Sequence, residues 1–138
     1  MELVLRLTKY KLENKELLNY LLFEADDEEA YIKKVEEQVQ EMFAEIPRNL
    51  NQYLVKKTVR KILRIVNKQI KYSGNKETEA RLRLFYCHCM KQFINMRYNT
   101  YLTNLYELQL KKIRQTIEKL HEDLQYDFEQ ELKELEGL

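Results

Sequence analysis

The chain has 138 residues, 44% of them apolar and 34% charged, with 24 Lys and Arg against 23 Asp and Glu; that excludes a disordered polyelectrolyte and suits one folded domain over 1–138. Two glycines and one proline exclude a fold built on tight turns and leave long helices. Two cysteines, Cys87 and Cys89, exclude a disulfide scaffold and point to reduced thiols in a cytoplasmic protein.

The N-terminal "MELVLRLTKYK" lacks the basic region and cleavage site of a signal peptide. No apolar run approaches the ~18 residues that span a bilayer. Leu3, Leu5 and Leu7 alternate as on a strand, but a lone strand has no partner, so residues 1–11 read as an N-terminal arm or the start of a helix. Leu17, Leu18, Leu21 and Leu22 then mark one helical face. "EADDEEA" interrupts it, and Asp26 with Glu29 has the spacing of a capping pair. Ile32, Val35, Val39, Met42 and Ile46 recur as a single stripe up to Pro47, which ends that helix. Asn49 or Asn51 caps the next one, whose apolar face is Val55, Val59, Ile62, Val66 and Ile70. Gly74 closes it and Asn75 opens another at once, so the two pack as antiparallel neighbours.

The last sixty residues hold no glycine or proline before Gly137. Leu82, Phe85, Cys89, Phe93 and Met96 form one stripe; Leu102, Leu105, Ile113, Ile117, Leu120, Leu124, Phe128 and Leu135 form another. The apolar face turns by more than a quarter between them, which predicts a break at "RYNTY" with Asn99 or Thr100 as cap. Residues 101–136 read as one long C-terminal helix of about 54 Å. The expected fold is all-α, an antiparallel bundle of four to five helices.

Charge is unevenly spread along this bundle. Lys56, Lys57, Arg60, Lys61, Arg64, Lys68 and Lys71 fall on one helix with no acid between them, inside an arc of roughly 140° opposite the apolar face. Such a face neutralises phosphates independent of sequence, and the flanking Tyr53 and Tyr72 offer rings for unpaired bases. The opposing expectation is internal balance. The helix before it, with its leading acids from Glu24, carries nine acids and two lysines and would face the basic rim across a shared seam. Lys57, Arg64, Lys68 and Lys71, at the middle of the arc, are the residues expected to reach an external anion.

Other chemistry is sparse. Cys87, His88 and Cys89 are ligand types, but consecutive helical residues diverge by about 100° and cannot converge on one ion, so no metal or other cofactor is expected. No phosphate loop, nucleophile elbow or Ser/His/Asp set is visible, the sole serine being Ser73, and an enzyme is not expected. Met96, Tyr98, Tyr101 and Tyr106 cluster near the break and are candidates for a protein interface, since Met and Tyr are enriched there. The C-terminal residues 118–136 hold eight acids and two lysines and suit pairing with a second copy. The expected function is a non-enzymatic protein-interaction or oligomerisation module whose partner is another protein or itself. The alternative is a nucleic-acid-binding accessory protein using the basic helix 54–72.

Overall fold

Side chains hold the start of every helix in the computed structural model, which describes residues 27–136. Asp27 accepts from Ala30 N at 3.0 Å and starts α1, Glu28–Ala44. Asn51 accepts from Tyr53 N at 2.7 Å and starts α2, Gln52–Ser73. Gly74 ends α2 at φ 64°, the left-handed conformation that glycine adopts without strain, and Asn75 starts α3, Lys76–Phe93, in the next residue. Asn99 accepts from Leu102 N at 3.1 Å and starts α4, Thr100–Ile117. The fifth helix, α5, Glu122–Glu136, begins where His121 Nδ1 accepts from Asp123 N at 3.2 Å. There is no strand among the described residues, and the all-α bundle is borne out. The arm at 1–11, the leucine face at 17–22 and Asp26 lie outside the described residues; the cap of α1 is Asp27.

Two expectations change. The break at 97–101 is present with Asn99 as its cap, but residues 101–136 are two helices rather than one. Leu120 N bonds to Ile117 O at 3.0 Å, and the freed carbonyls of Leu120 and Glu118 accept from Gln125 Nε2. Thr116 Oγ1 also bonds back to Lys112 O at 2.9 Å, a contact that loosens the last turn of α4.

The second change concerns α3, which packs against all four other helices. Leu82, Leu84, Tyr86, Cys87, Cys89 and Met90 are buried around most of its circumference, as expected of a central helix. Of the single stripe expected there, Phe85, Phe93 and Met96 are only partly buried. In α2 all five expected core residues are buried, and in α1 Tyr31 and Phe43 join Ile32, Val35 and Val39.

Cross-helix bonds give the directions. Glu28 meets Thr78 and Phe43 meets Tyr86, so α1 runs parallel to α3. Asn67 meets Arg83 and Val59 meets Tyr86, so α2 runs antiparallel to α3. Arg83 of α3 bonds both Asn67 of α2 and Gln109 of α4, and α2 and α4 border one groove while α1, α3 and α5 border another cleft, so the described helices form two layers: α1, α3 and α5 in one, α2 and α4 in the other. α5 returns along its own bundle, burying Phe128, Leu132 and Leu135, and Tyr106 Oη donates to Leu135 O at 2.8 Å.

Candidate functional site

Residues 53, 57, 60, 64, 68 and 71 follow one another at intervals of four or three, so they line one edge of α2 from end to end. Lys57, Arg60, Lys61, Arg64 and Lys71 are exposed; Lys56 and Lys68 are half-buried. Among the described residues no ion pair joins Lys56, Lys57, Arg60, Lys61, Arg64 or Lys71 to a carboxylate.

The acids of α1 go elsewhere. Glu29 and Glu36 both face Arg81 of α3, with Arg81 Nη2 3.1 Å from Glu29 Oε1. Glu28 accepts from the hydroxyls of Ser73 and Thr78 at 2.6 and 2.7 Å, and Tyr31 Oη donates to the Gln69 side chain. Among the described residues these bonds cross the seam between α1 and α2 to neutral partners, and no pair of opposite charges is seen across it there. The Arg81 hydrogen bond holds the Glu29 carboxyl below its ordinary pKa, while burial pushes that of Glu36 above it. Falling pH thus removes what Glu29 contributes and relieves what Glu36 costs, two effects of opposite sign.

Charge instead separates by layer. Helix α2 carries +7 and α4 carries +2, giving their layer +9; α1 carries −3, α3 +2 and α5 −6, giving the opposite layer −7. The described helices are in this way basic on one side.

On that basic side, α2 and the start of α4 enclose an open groove of about 450 Å³ lined by Tyr53, Lys56, Lys57, Arg60 and Arg64 with Tyr101. It adjoins a second hollow of about 490 Å³ lined by Gln52, Lys56, Arg97, Tyr98, Asn99, Thr100 and Tyr101. Both lie within the ~300–1,000 Å³ range of ligand clefts. Lys56 and Tyr101 belong to both, and Lys56 Nζ sits 5.2 Å from the centre of the Tyr101 ring. Asn99 Nδ2 donates to Gln52 Oε1 at 2.8 Å, which ties the N-terminus of α4 to that of α2.

Two helix N-termini, each the positive end of a dipole, meet at this hollow. Neither α2 nor α4 has an acidic residue in its first turn. The other three helices do: Glu28 and Glu29, Glu77 and Glu79, Glu122 and Asp123. The usual local compensation is missing at the two ends that border the basic groove.

The remaining sequence candidates separate. Tyr101 is in the groove and Tyr98 beside it, 97% exposed. Tyr106 is in the core, where burial pushes its hydroxyl pKa up to about 12, and Met96 is half-buried. The four do not form one exposed interface. Lys57 and Arg64 line the groove, whereas Lys68 and Lys71 continue the stripe beyond it. Arg60, Lys56 and Arg97 are groove residues that lie off the middle of the basic arc or outside that helix; α4 and the 97–99 turn bring them in, a packing no single helix encodes.

Cys87 and Cys89 point into the core, and His88 opens onto a cleft with Glu36, Glu77, Asp127 and Glu131. No three His, Cys, Asp or Glu among the described residues are placed to hold a metal ion. Burial pushes both thiols up to about 12, so the folded chain is expected to resist a disulfide reagent at about pH 8 and to release both thiols together in denaturant. Rapid native labelling of either thiol would contradict that packing.

No helix among the described residues is long and apolar enough to cross a membrane. No protein-family model matches the chain, and no curated protein or solved structure is detectably similar to it.

Proposed function

We propose that this chain is a binding protein for nucleic acid, which it holds by its phosphates along the basic edge of α2. The observation that carries the proposal is the groove of Lys56, Lys57, Arg60 and Arg64, bordered by two acid-free helix N-termini and without a carboxylate paired to it among the described residues. Unpaired cations so concentrated repel one another and await counterions; a polyanion releases those counterions and gains entropy. The tyrosine-rich region lends its exposed members, Tyr98 and Tyr101, to the same surface, so it supports this reading more than a separate protein interface.

Fluorescence anisotropy with labelled mixed-sequence oligonucleotides at several salt concentrations tests the proposal. With about four phosphates neutralised, log affinity should fall with log salt at a slope of roughly −3 to −4. The triple substitution K57E/R60E/R64E should lower affinity by about 100-fold or more at low salt, since each site passes from attraction to repulsion. Lys133→Glu, on α5 in the other layer, should change it little. No binding at about 50 mM salt overturns the proposal. So does preferential binding to anionic vesicles or polyglutamate, which would assign the cations to a membrane or an acidic protein.

A further inference from the structure

Resting on that reading, we infer that the nucleic acid held by this groove is single-stranded, with unpaired bases stacked on Tyr98 and on the tyrosines that follow it into the groove. Three aromatic rings line the two connected hollows: Tyr53, Tyr101 and Tyr98, 70%, 38% and 97% exposed. Phosphate contacts alone need no aromatic surface. A ring becomes useful when a base face is open to meet it, which a duplex does not offer.

Tyr98 is the most informative of the three. Its φ is 65°, the only positive value of a non-glycine residue among those described, in a region that costs an L-residue free energy unless its surroundings impose it. They do. Arg97 N bonds to Asn95 Oδ1 at 3.0 Å, Asn99 N to Met96 O at 3.1 Å, and Thr103 Oγ1 to Met96 O at 3.3 Å. The turn is pinned on both sides, and what it presents is an aromatic ring with no packing of its own. The Arg97 guanidinium lies 5.8 Å from the ring centre, a cation beside a stacking face, which is the pairing that single-strand sites use for a phosphate and its base.

The placement of the cations points the same way. They line a hollow between α2 and α4 rather than the crest of a protruding helix. Duplex readers insert a projecting helix into a groove about 12 Å wide. A concave track with rings along it instead admits one strand, its phosphates toward Lys57, Arg60 and Arg64 and its bases toward the tyrosines.

The test compares a mixed-sequence oligonucleotide of about 20 nucleotides with its own duplex, against the wild-type chain, Tyr98→Asn, Tyr98→Phe and Tyr53→Ala. Asparagine tolerates the left-handed conformation, and the melting temperature of Tyr98→Asn should match wild type. The single strand should bind about 10-fold or more tighter than the duplex. Tyr98→Asn should weaken single-strand binding about 5-fold to 100-fold without changing the salt slope. Tyr98→Phe should retain it, and Tyr53→Ala should lose affinity as an independent check on an exposed helical position. A duplex bound as well as the single strand, or Tyr98→Asn and Tyr53→Ala both without effect, overturns this inference. In that case charge reversal on α2 would still weaken binding and the nucleic-acid proposal would stand. Absence of binding to either form overturns both.

Discussion

Replacing Arg83 with alanine is expected to lower stability by about 3–5 kcal/mol, in the range for removing one member of a buried charge network. Arg83 lies in the middle of the central helix, 7% exposed. Its Nε donates to Glu79 Oε2 at 3.1 Å, and its Nη1 donates to Asn67 Oδ1 of α2 at 3.0 Å and to Gln109 Oε1 of α4 at 2.8 Å. One side chain therefore fastens three helices. No buried side-chain nitrogen or oxygen is left without a partner among the described residues. Alanine would orphan two amide oxygens and leave the Glu79 carboxylate facing a void. Arg83→Met, which refills the volume, should recover part of the loss, and Arg83→Ala combined with Glu79→Gln should lose less than the sum of the two. Urea denaturation of the wild-type chain, the three single variants and the double variant measures this. A loss below about 1 kcal/mol for Arg83→Ala would show that water replaces the guanidinium and that the network does not hold the layers together.

The second large effect lies near the C-terminal end of α1. Phe43→Ala should cost about 3–5 kcal/mol, as expected for an aromatic residue truncated in a closed core. Phe43 is 1% exposed, and its ring centre is 5.4 Å from that of Tyr86 at a tilt of 58°. The Tyr86 hydroxyl continues to Val59 O at 3.0 Å, so α1, α3 and α2 meet there. Phe43→Ala and Tyr86→Ala should fall short of additivity, because each empties the same space. Leu108→Ala, at an exposed position of α4, is the control. A Phe43→Ala loss no larger than the control's would mean that α1 is not docked on the core.

What the sequence revealed of this fold follows from which forces act locally. Asn51, Gly74, Asn75 and Asn99 are legible because a cap bonds its own neighbours and the residue types that do so are few. The α2 stripe is legible because that helix has one buried side. Helix α3 is not, since four other helices cover it from several sides, and a period fitted to one face misses Leu84, Tyr86, Cys87 and Met90. The break at 118–121 was hidden because His121 and Gln125 perform the capping, and neither type announces a helix end. For the site, the cations of α2 were visible as a run. That Lys57, Arg60 and Arg64 have no carboxylate partner among the described residues was not, because it depends on Arg81 of α3 taking Glu29 and Glu36.

That partition between layers has a consequence for how the molecule meets anything charged. The described helices divide their charge into +9 and −7, so across them the net charge is small and the leading electrostatic property is a dipole running from the α1–α3–α5 layer to the α2–α4 layer. A dipole exerts little pull at a distance, and solution ions damp it further over about 8 Å at physiological ionic strength. What it exerts is torque. A molecule drifting close to a polyanion is turned until α2 leads, so the field serves less to gather ligand from afar than to make an encounter begin in the right orientation.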